Sequence, residues 1–198
     1  RIGLRGDRWA LMRAGQGSVG DFLSLVLALR EDTSAAVLEN AMGKVNLIDS
    51  RIASDEDRAR LATVIREKFG PAYRAMGKSS ARESYDRLAL RAVLFGALGA
   101  AQDPAVMAEA RRLTEQSFKS AQTGDPIFLN AAIGIAARNG DASLYEKFLA
   151  ASKDEHDPVA QADSLRTLAL FTDPLLVRRT LDYAVSGQVR TQSSWIPT

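Results

Sequence analysis

Four of the six prolines in this chain follow an aspartate, at Asp103-Pro104, Asp125-Pro126, Asp157-Pro158 and Asp173-Pro174, and each dipeptide precedes an apolar-periodic stretch. An aspartate can accept from the free N–H groups of a helix's first turn, and a proline at the first helical position gives up a donor that had no partner. The chain therefore announces helix starts at short intervals. It has no alternating Val/Ile/Thr runs bounded by Asn-Gly or Asp-Gly turns, so strands are not expected. The expected fold class is all-α, built from consecutive antiparallel helix pairs.

The pairing is clearest from residue 78 onward. A helix over Glu83 to Ala100 places Tyr85, Leu88, Ala92, Phe95 and Gly99 on one face, three and four apart, and its partner is expected over Pro104 to Ala121. The second pair is Pro126 to Arg138, turned by Asn139-Gly140, then Ala142 to Ala151. The third is Pro158 to Phe171, then Pro174 to Val185. Asp103, Asp141 and Asp173 fall 38 and 32 residues apart, the period of helical-hairpin solenoids. With no Trp/Gly/Tyr repeat signature, the reading is a HEAT-like α-solenoid rather than a tetratricopeptide array.

Residues 1–77 supply the first helices and 78–198 the three clear pairs of one helical-repeat domain. Asp7 to Ala14 reads as a short helix closed by Gly15 and Gly17. Ser18-Val19-Gly20-Asp21 imitates a capping box ahead of a helix over Phe22 to Arg30. Thr33-Ser34 opens a third helix. Ser54 opens a fourth, with Asp55, Glu56 and Asp57 on its first turn, where the helix dipole favours them. That helix is expected to break at Gly70-Pro71, leaving a short piece to Met76.

With 198 residues and 46% hydrophobic content, a substantial core is available. Basic and acidic residues nearly balance, 26 against 24, and no basic stripe interleaved with aromatics occurs, so nucleic acid is not an expected partner. The absence of cysteine excludes disulfides and thiolate metal sites and tips the expected compartment towards the cytoplasm. The longest apolar run, Phe22 to Leu29, contains Ser24 and is far short of a membrane span. Because the chain opens on Arg1, it reads as a piece of a longer polypeptide.

Chemistry is scarce. The single histidine, His156, sits in Lys153-Asp154-Glu155-His156-Asp157. A metal site could be drawn from those side chains, but ligands must converge from a fixed scaffold, and a solvated loop accounts for them. A zinc helix with two histidines one turn apart cannot occur, and no Gly-x-Ser-x-Gly elbow supports a triad. Gly15-Gln16-Gly17-Ser18-Val19-Gly20 imitates a phosphate loop but follows no strand. No catalytic residue and no metal ligand is assigned.

Arginines form the remaining pattern. Arg82, Arg87 and Arg91 lie near one stripe of the helix that opens the first pair, and Arg138 and Arg166 occupy helices of the same class. Lining a concave face, they could meet carboxylates or peptide carbonyls. Intra-repeat ion pairs explain them as well.

Several fragments, in consistent order, are similar to one family. They are Asp7-Arg8-Trp9-Ala10-Leu11 with Ala14-Gly15 and Phe22-Leu23, Leu90-Arg91 with Leu94, and Asp103-Pro104 leading to Ala110. Further on come Ala137 with Asn139-Gly140, Leu165-Arg166 with Leu168-Ala169, Leu176 through Leu181-Asp182-Tyr183, and Gly187-Gln188-Val189-Arg190-Thr191-Gln192. Together they resemble the C-terminal helical domain of zinc aminopeptidases of the aminopeptidase N, oxytocinase and endoplasmic-reticulum aminopeptidase type. The sequence departs from that pattern at Gly77-Lys78 and at Ser193.

The resemblance implies a parent hydrolase, a metalloprotease that removes N-terminal amino acids with zinc held in a separate catalytic domain. That domain's Gly-x-Met-Glu-Asn and His-Glu-x-x-His segments do not occur in this chain. The chain itself would be non-catalytic and cofactor-free, a superhelical bowl that encloses the cavity and restricts or captures peptide substrates. Its partners would be the parent's catalytic domain and peptides, with Arg87, Arg91 and Arg166 as the expected substrate contacts. The alternative is a free-standing helical-repeat scaffold that binds a protein or peptide. The resemblance also implies further helices after Trp195-Ile196-Pro197-Thr198, so an uncapped face over Leu175 to Val185 is expected to self-associate.

Overall fold

The computed structural model describes residues 2–79, 83–119, 125–154 and 158–189, with side chains from residue 7 onward. Among these residues every regular element is helical. The elements are α1 (Ile2–Arg13), α2 (Val19–Leu27) running into a 3₁₀ turn (Ala28–Glu31), α3 (Ala35–Arg51), α4 (Asp55–Ala75) and α5 (Tyr85–Ala100). They continue as α6 (Pro104–Ser117), α7 (Pro126–Arg138), α8 (Ala142–Ala151), α9 (Pro158–Leu168) and α10 (Pro174–Val185). The all-α reading holds. Among the described residues no helix is long and apolar enough to cross a membrane.

The helix starts form by the predicted chemistry. Asp103 Oδ1 accepts from the N–H groups of Ala105 and Val106, Asp125 Oδ1 from Phe128, and Asp173 Oδ1 from Leu175 and Leu176. Asp157 lies outside the described residues. Ser18 caps α2 through the Asp21 N–H at 3.0 Å, and Ser54 caps α4 while donating its own hydroxyl to Asp57 at 2.7 Å. Such caps are each worth about 1 kcal/mol. Ser34, by contrast, makes no cap bond with its side chain. Asp32 takes the Ser34 N–H instead, at 2.9 Å.

Several boundaries differ from expectation. The α1 helix begins five residues earlier than Asp7 and ends in a Schellman turn, with Gly15 at φ +72° and the Gln16 N–H bonded to the Leu11 carbonyl at 2.8 Å. The expected break at Gly70-Pro71 does not occur, because α4 runs through Pro71 to Ala75. A proline inside a helix removes one hydrogen bond and crowds the preceding turn. Here packing on both sides offsets that local loss: Phe69 and Gly70 are buried and the Tyr73 ring lies 5.8 Å from that of Phe95. The α9 helix stops at Leu168, short of Phe171, whose ring instead fills the space beside Tyr145 and Phe148.

The chain divides into two compact units, Arg1–Val106 with Gly124–Ala131, and Met107–Thr123 with Ala132–Thr198. In the first, α5 packs against α3 and α4, and α2 packs against α1 and α3. Phe22, Val26, Leu38, Phe69, Phe95 and Leu98 form its centre, and the Phe95 ring also meets Phe128 at 4.5 Å. Trp9 leans on Phe22 at 5.1 Å, with Lys44 over its ring.

In the second unit α8 packs against α9, helices that fall in different predicted pairs. Leu144, Tyr145, Leu168 and Phe171 are buried there, and the Tyr145 hydroxyl pairs with Thr180 at 3.0 Å. A side chain at Gly140 would meet Phe171 Cε1 at 2.6 Å, so the close approach of the ring requires a glycine. Charge joins α6 to α8: Arg111 reaches Asp141 at 3.3 Å and Lys147 pairs with Glu115. Asp141, accepting first from the Leu144 N–H and then from Ser143, is held down at about 2.

Candidate functional site

The predicted arginines divide sharply. Arg87 and Arg91 sit one turn apart on α5 and converge on Glu83, which precedes the helix cap Ser84. Arg91 is buried, its side chain 3% exposed and that of Glu83 5%. Its Nη2 and Nε meet the two carboxylate oxygens at 2.6 and 3.2 Å, a fork-to-fork pair. Nη1 donates to the Gly77 carbonyl at 2.6 Å and Nη2 also to Met76 at 3.3 Å. Those carbonyls follow the C-terminus of α4, where backbone acceptors have no partner within the helix. Arg91 therefore joins the end of α4 to the start of α5.

This corrects the expectation that Arg91 meets a peptide. Four donor contacts hold its guanidinium inside the fold and leave no surface to offer. The Glu83 carboxyl, held first by the Arg91 hydrogen bonds and then by Ser79 and Arg87, is pulled down to about 2. Sequence reasoning missed Glu83, although the spacing Glu83, Arg87, Arg91 is a helical i, i+4, i+8 run of opposite charge.

Arg87 takes the same carboxylate at 2.7 Å and the Met76 carbonyl at 3.2 Å, but half of its side chain stays exposed. Arg166, on α9 of the second unit, pairs with Asp163 at 2.7 Å in an exposed i, i+3 contact. Arg138 is exposed at the end of α7 and, among the described residues, donates to the Gly134 carbonyl within its own helix. Arg82 and His156 lie outside the described residues. Among the described residues no group of carboxylates and histidines could hold a metal ion.

The fragments that carried the family resemblance mix packing positions with exposed ones such as Asp7, Arg8, Arg166 and Asp182. Arg91, Leu94, Ala110, Ala137, Leu168 and Leu176 are all buried. Such positions preserve an architecture; they do not constitute a reactive centre.

Aminopeptidases of yeast and rice align with the chain. Aminopeptidase 2, mitochondrial, of Saccharomyces cerevisiae is 27% identical over 206 residues, and the Alanine/arginine aminopeptidase of the same yeast is 25% identical over 205. Aminopeptidase M1-A of Oryza sativa subsp. japonica is 26% identical over 204. The alignments cover 100%, 100% and 98% of this chain but 21%, 24% and 23% of those proteins, so the chain spans less than a quarter of their length. Residues 1–198 match the family described as the ERAP1-like C-terminal domain, and the chain belongs to that family.

Proposed function

We propose that this chain is the helical C-terminal domain of a zinc-dependent aminopeptidase, where it encloses the active-site cavity and restricts or captures the peptides that enter. The observation that carries this reading is the match of all 198 residues to a C-terminal-domain family, beside relatives that are themselves aminopeptidases. Zinc would be held by the parent's catalytic domain, this chain's first partner. The helices continue as HEAT-like pairs stacked into a solenoid. Support comes from caps of one chemistry repeated at helix starts, and from α5 lying against both α4 and the helix before it.

Peptide contact falls to arginines with exposed guanidinium groups. Arg166, exposed, bonds Asp163 through one guanidinium nitrogen among the described residues, and Arg87 keeps half its side chain in solvent. Either could take a peptide carboxylate or carbonyl.

Two comparisons test the reading. The full-length parent is expected to hydrolyse an aminoacyl reporter and to lose activity on zinc removal, whereas this chain alone does neither. Hydrolysis by the isolated chain would overturn it. Arg166→Ala in the parent is expected to raise KM for peptides of several residues more than for the reporter. An equal effect on both would remove Arg166 from the peptide path.

A further inference from the structure

One dipeptide of this chain can react within itself. Asn139-Gly140 is its only Asn-Gly pair, the other asparagines, Asn40, Asn46 and Asn130, being followed by alanine or leucine. In such a pair the Gly140 backbone nitrogen can attack the Asn139 Cγ. A C–N bond forms, the bond from Cγ to Nδ2 breaks, and the proton of the Gly140 N–H departs with Nδ2 as ammonia. Water then opens the five-membered succinimide at either carbonyl. The product is aspartate or, with one extra methylene in the main chain, isoaspartate. Glycine favours the attack because no Cβ stands in its way. Water is the sole co-reactant.

The fold holds both nitrogens elsewhere. Asn139 Nδ2 donates to the Ile135 carbonyl at 2.9 Å, which turns the side chain back over the last turn of α7. The Gly140 N–H donates to the Ala137 carbonyl at 3.0 Å. The main chain has little room to bring the two together, since a Cβ at Gly140 would lie 2.6 Å from Phe171 Cε1 and 2.9 Å from the Ala136 carbonyl oxygen. Both flanks are also tied: Thr172 donates to the Arg138 carbonyl at 2.7 Å, and the Asp141 carboxylate takes Ser143 and the Leu144 N–H.

The product suits this turn poorly. An ionised carboxylate at position 139 cannot donate to the Ile135 carbonyl, and it sets negative charge at the end of α7, where the helix dipole opposes it. Isoaspartate adds a methylene beside the Phe171 ring, where the chain is already in close contact. We infer that Asn139-Gly140 is a self-modification site gated by the fold. It stays inert while the turn between α7 and α8 is closed and deamidates when that turn opens. The product then weakens the closed turn.

Incubation of the chain at mildly alkaline pH, with and without urea, tests this, with mass spectrometry of the peptide spanning Asn139 reading amide-to-acid conversion and isoaspartate. Conversion should be about tenfold or more slower without urea, because the turn must open first. Thr172→Val, at an exposed residue, removes the tie on Arg138. It should speed the reaction of the folded chain severalfold, with the helical circular dichroism and the rate in urea unchanged. Asn139→Asp, the ordinary product, should lower the urea midpoint. Equal rates with and without urea overturn the inference, and so does a folded-state rate indifferent to Thr172→Val. An Asn139→Asp midpoint no lower than that of the parent chain overturns the claim that the product weakens the turn.

Discussion

The helices α5 and α10 begin with the same device and end in opposite circumstances. Ser84 and Asp173 each accept a backbone N–H at the first turn. Yet α5 buries Arg91, Ala92, Leu94, Phe95, Ala97, Leu98 and Gly99, while α10 buries only Leu176 and Thr180. Local sequence decides that a helix starts. How many sides of it are covered depends on its neighbours, and α5 has α3 on one side and α4 on another. The difference places the stability of the first unit in α5 and leaves most of α10 exposed among the described residues.

The strongest way to expose this asymmetry is truncation of the core ring on α5. Phe95 has no exposed surface and touches the rings of Tyr73 and Phe128. Phe95→Ala is expected to cost about 4 kcal/mol. Leu175→Ala on α10, at a residue 75% exposed, should stay within about 0.5 kcal/mol. Urea unfolding of the two variants beside the parent chain reads both, and equal costs would abolish the distinction.

Arginine sharpens the comparison next. Removing the Arg91 guanidinium takes the buried fork partner from the Glu83 carboxylate, leaving it Ser79 and Arg87, and takes the donor from the Gly77 carbonyl, so Arg91→Met should cost about 3 kcal/mol. Arg166→Met breaks one exposed contact and should cost less than about 0.5 kcal/mol. A thermal melt of each variant separates the two cases.

The same clamp has a pH signature. The Glu83 carboxyl stands at about 2 in the folded chain, below its ordinary 4.5, so the folded state favours the charged form. That contribution is complete above the ordinary value and is lost as pH falls from about 4.5 through about 2. Glu83→Gln should therefore be less stable than the parent chain near neutrality, with the gap closing over that window. Denaturant midpoints at a series of pH values measure it, and a gap that persists at pH 2 would show that Glu83 is not the group responsible. Asp141, also held at about 2, leaves acid sensitivity behind in the variant.

The legible part of this fold is the part that a few consecutive residues determine. Asp141 and Asp173 cap the helices they were expected to cap, and α8 and α10 span Ala142–Ala151 and Pro174–Val185 as expected. Pro71 misled because its local cost is opposed by Phe69 and Tyr73, whose packing partners come from other helices. Tyr85 shared the predicted apolar face of α5 but is 71% exposed at the helix's first residue. Arg91 looked like a ligand-binding arginine because its strongest acceptors are not visible in a helical wheel. Two of them are carbonyls contributed by the end of another helix, 14 and 15 positions away. An arginine stripe is readable from spacing; which arginines remain free is decided by tertiary contacts.

The smallest expected effects lie at the C-terminal ends of the same two helices, where one geometry is met by different residues. After α5 the chain turns through Gln102 at φ +54°, with the Gln102 N–H on the Gly99 carbonyl and the Asp103 N–H on Leu98 at 2.9 Å. After α10 the corresponding left-handed position is Gly187, at φ +78°. A side chain in that region costs about 1 kcal/mol or more through its Cβ, and a glycine recovers part of this after the entropy of its freer unfolded chain is subtracted. Gln102→Gly should thus stabilise the chain by about 0.5 kcal/mol, and Gly187→Ala should destabilise it by about 1 kcal/mol. Gln102 holds its place because the next residue caps α6 at once, with the Asp103 carboxylate on the Ala105 and Val106 N–H groups, so the turn is fixed from its far side. If Gln102→Gly instead destabilises, its side chain contributes a contact that outweighs the backbone strain. Shifts of opposite sign in the two variants would show that the two helix ends are governed by the same backbone geometry, even though the helices differ in almost everything that covers them.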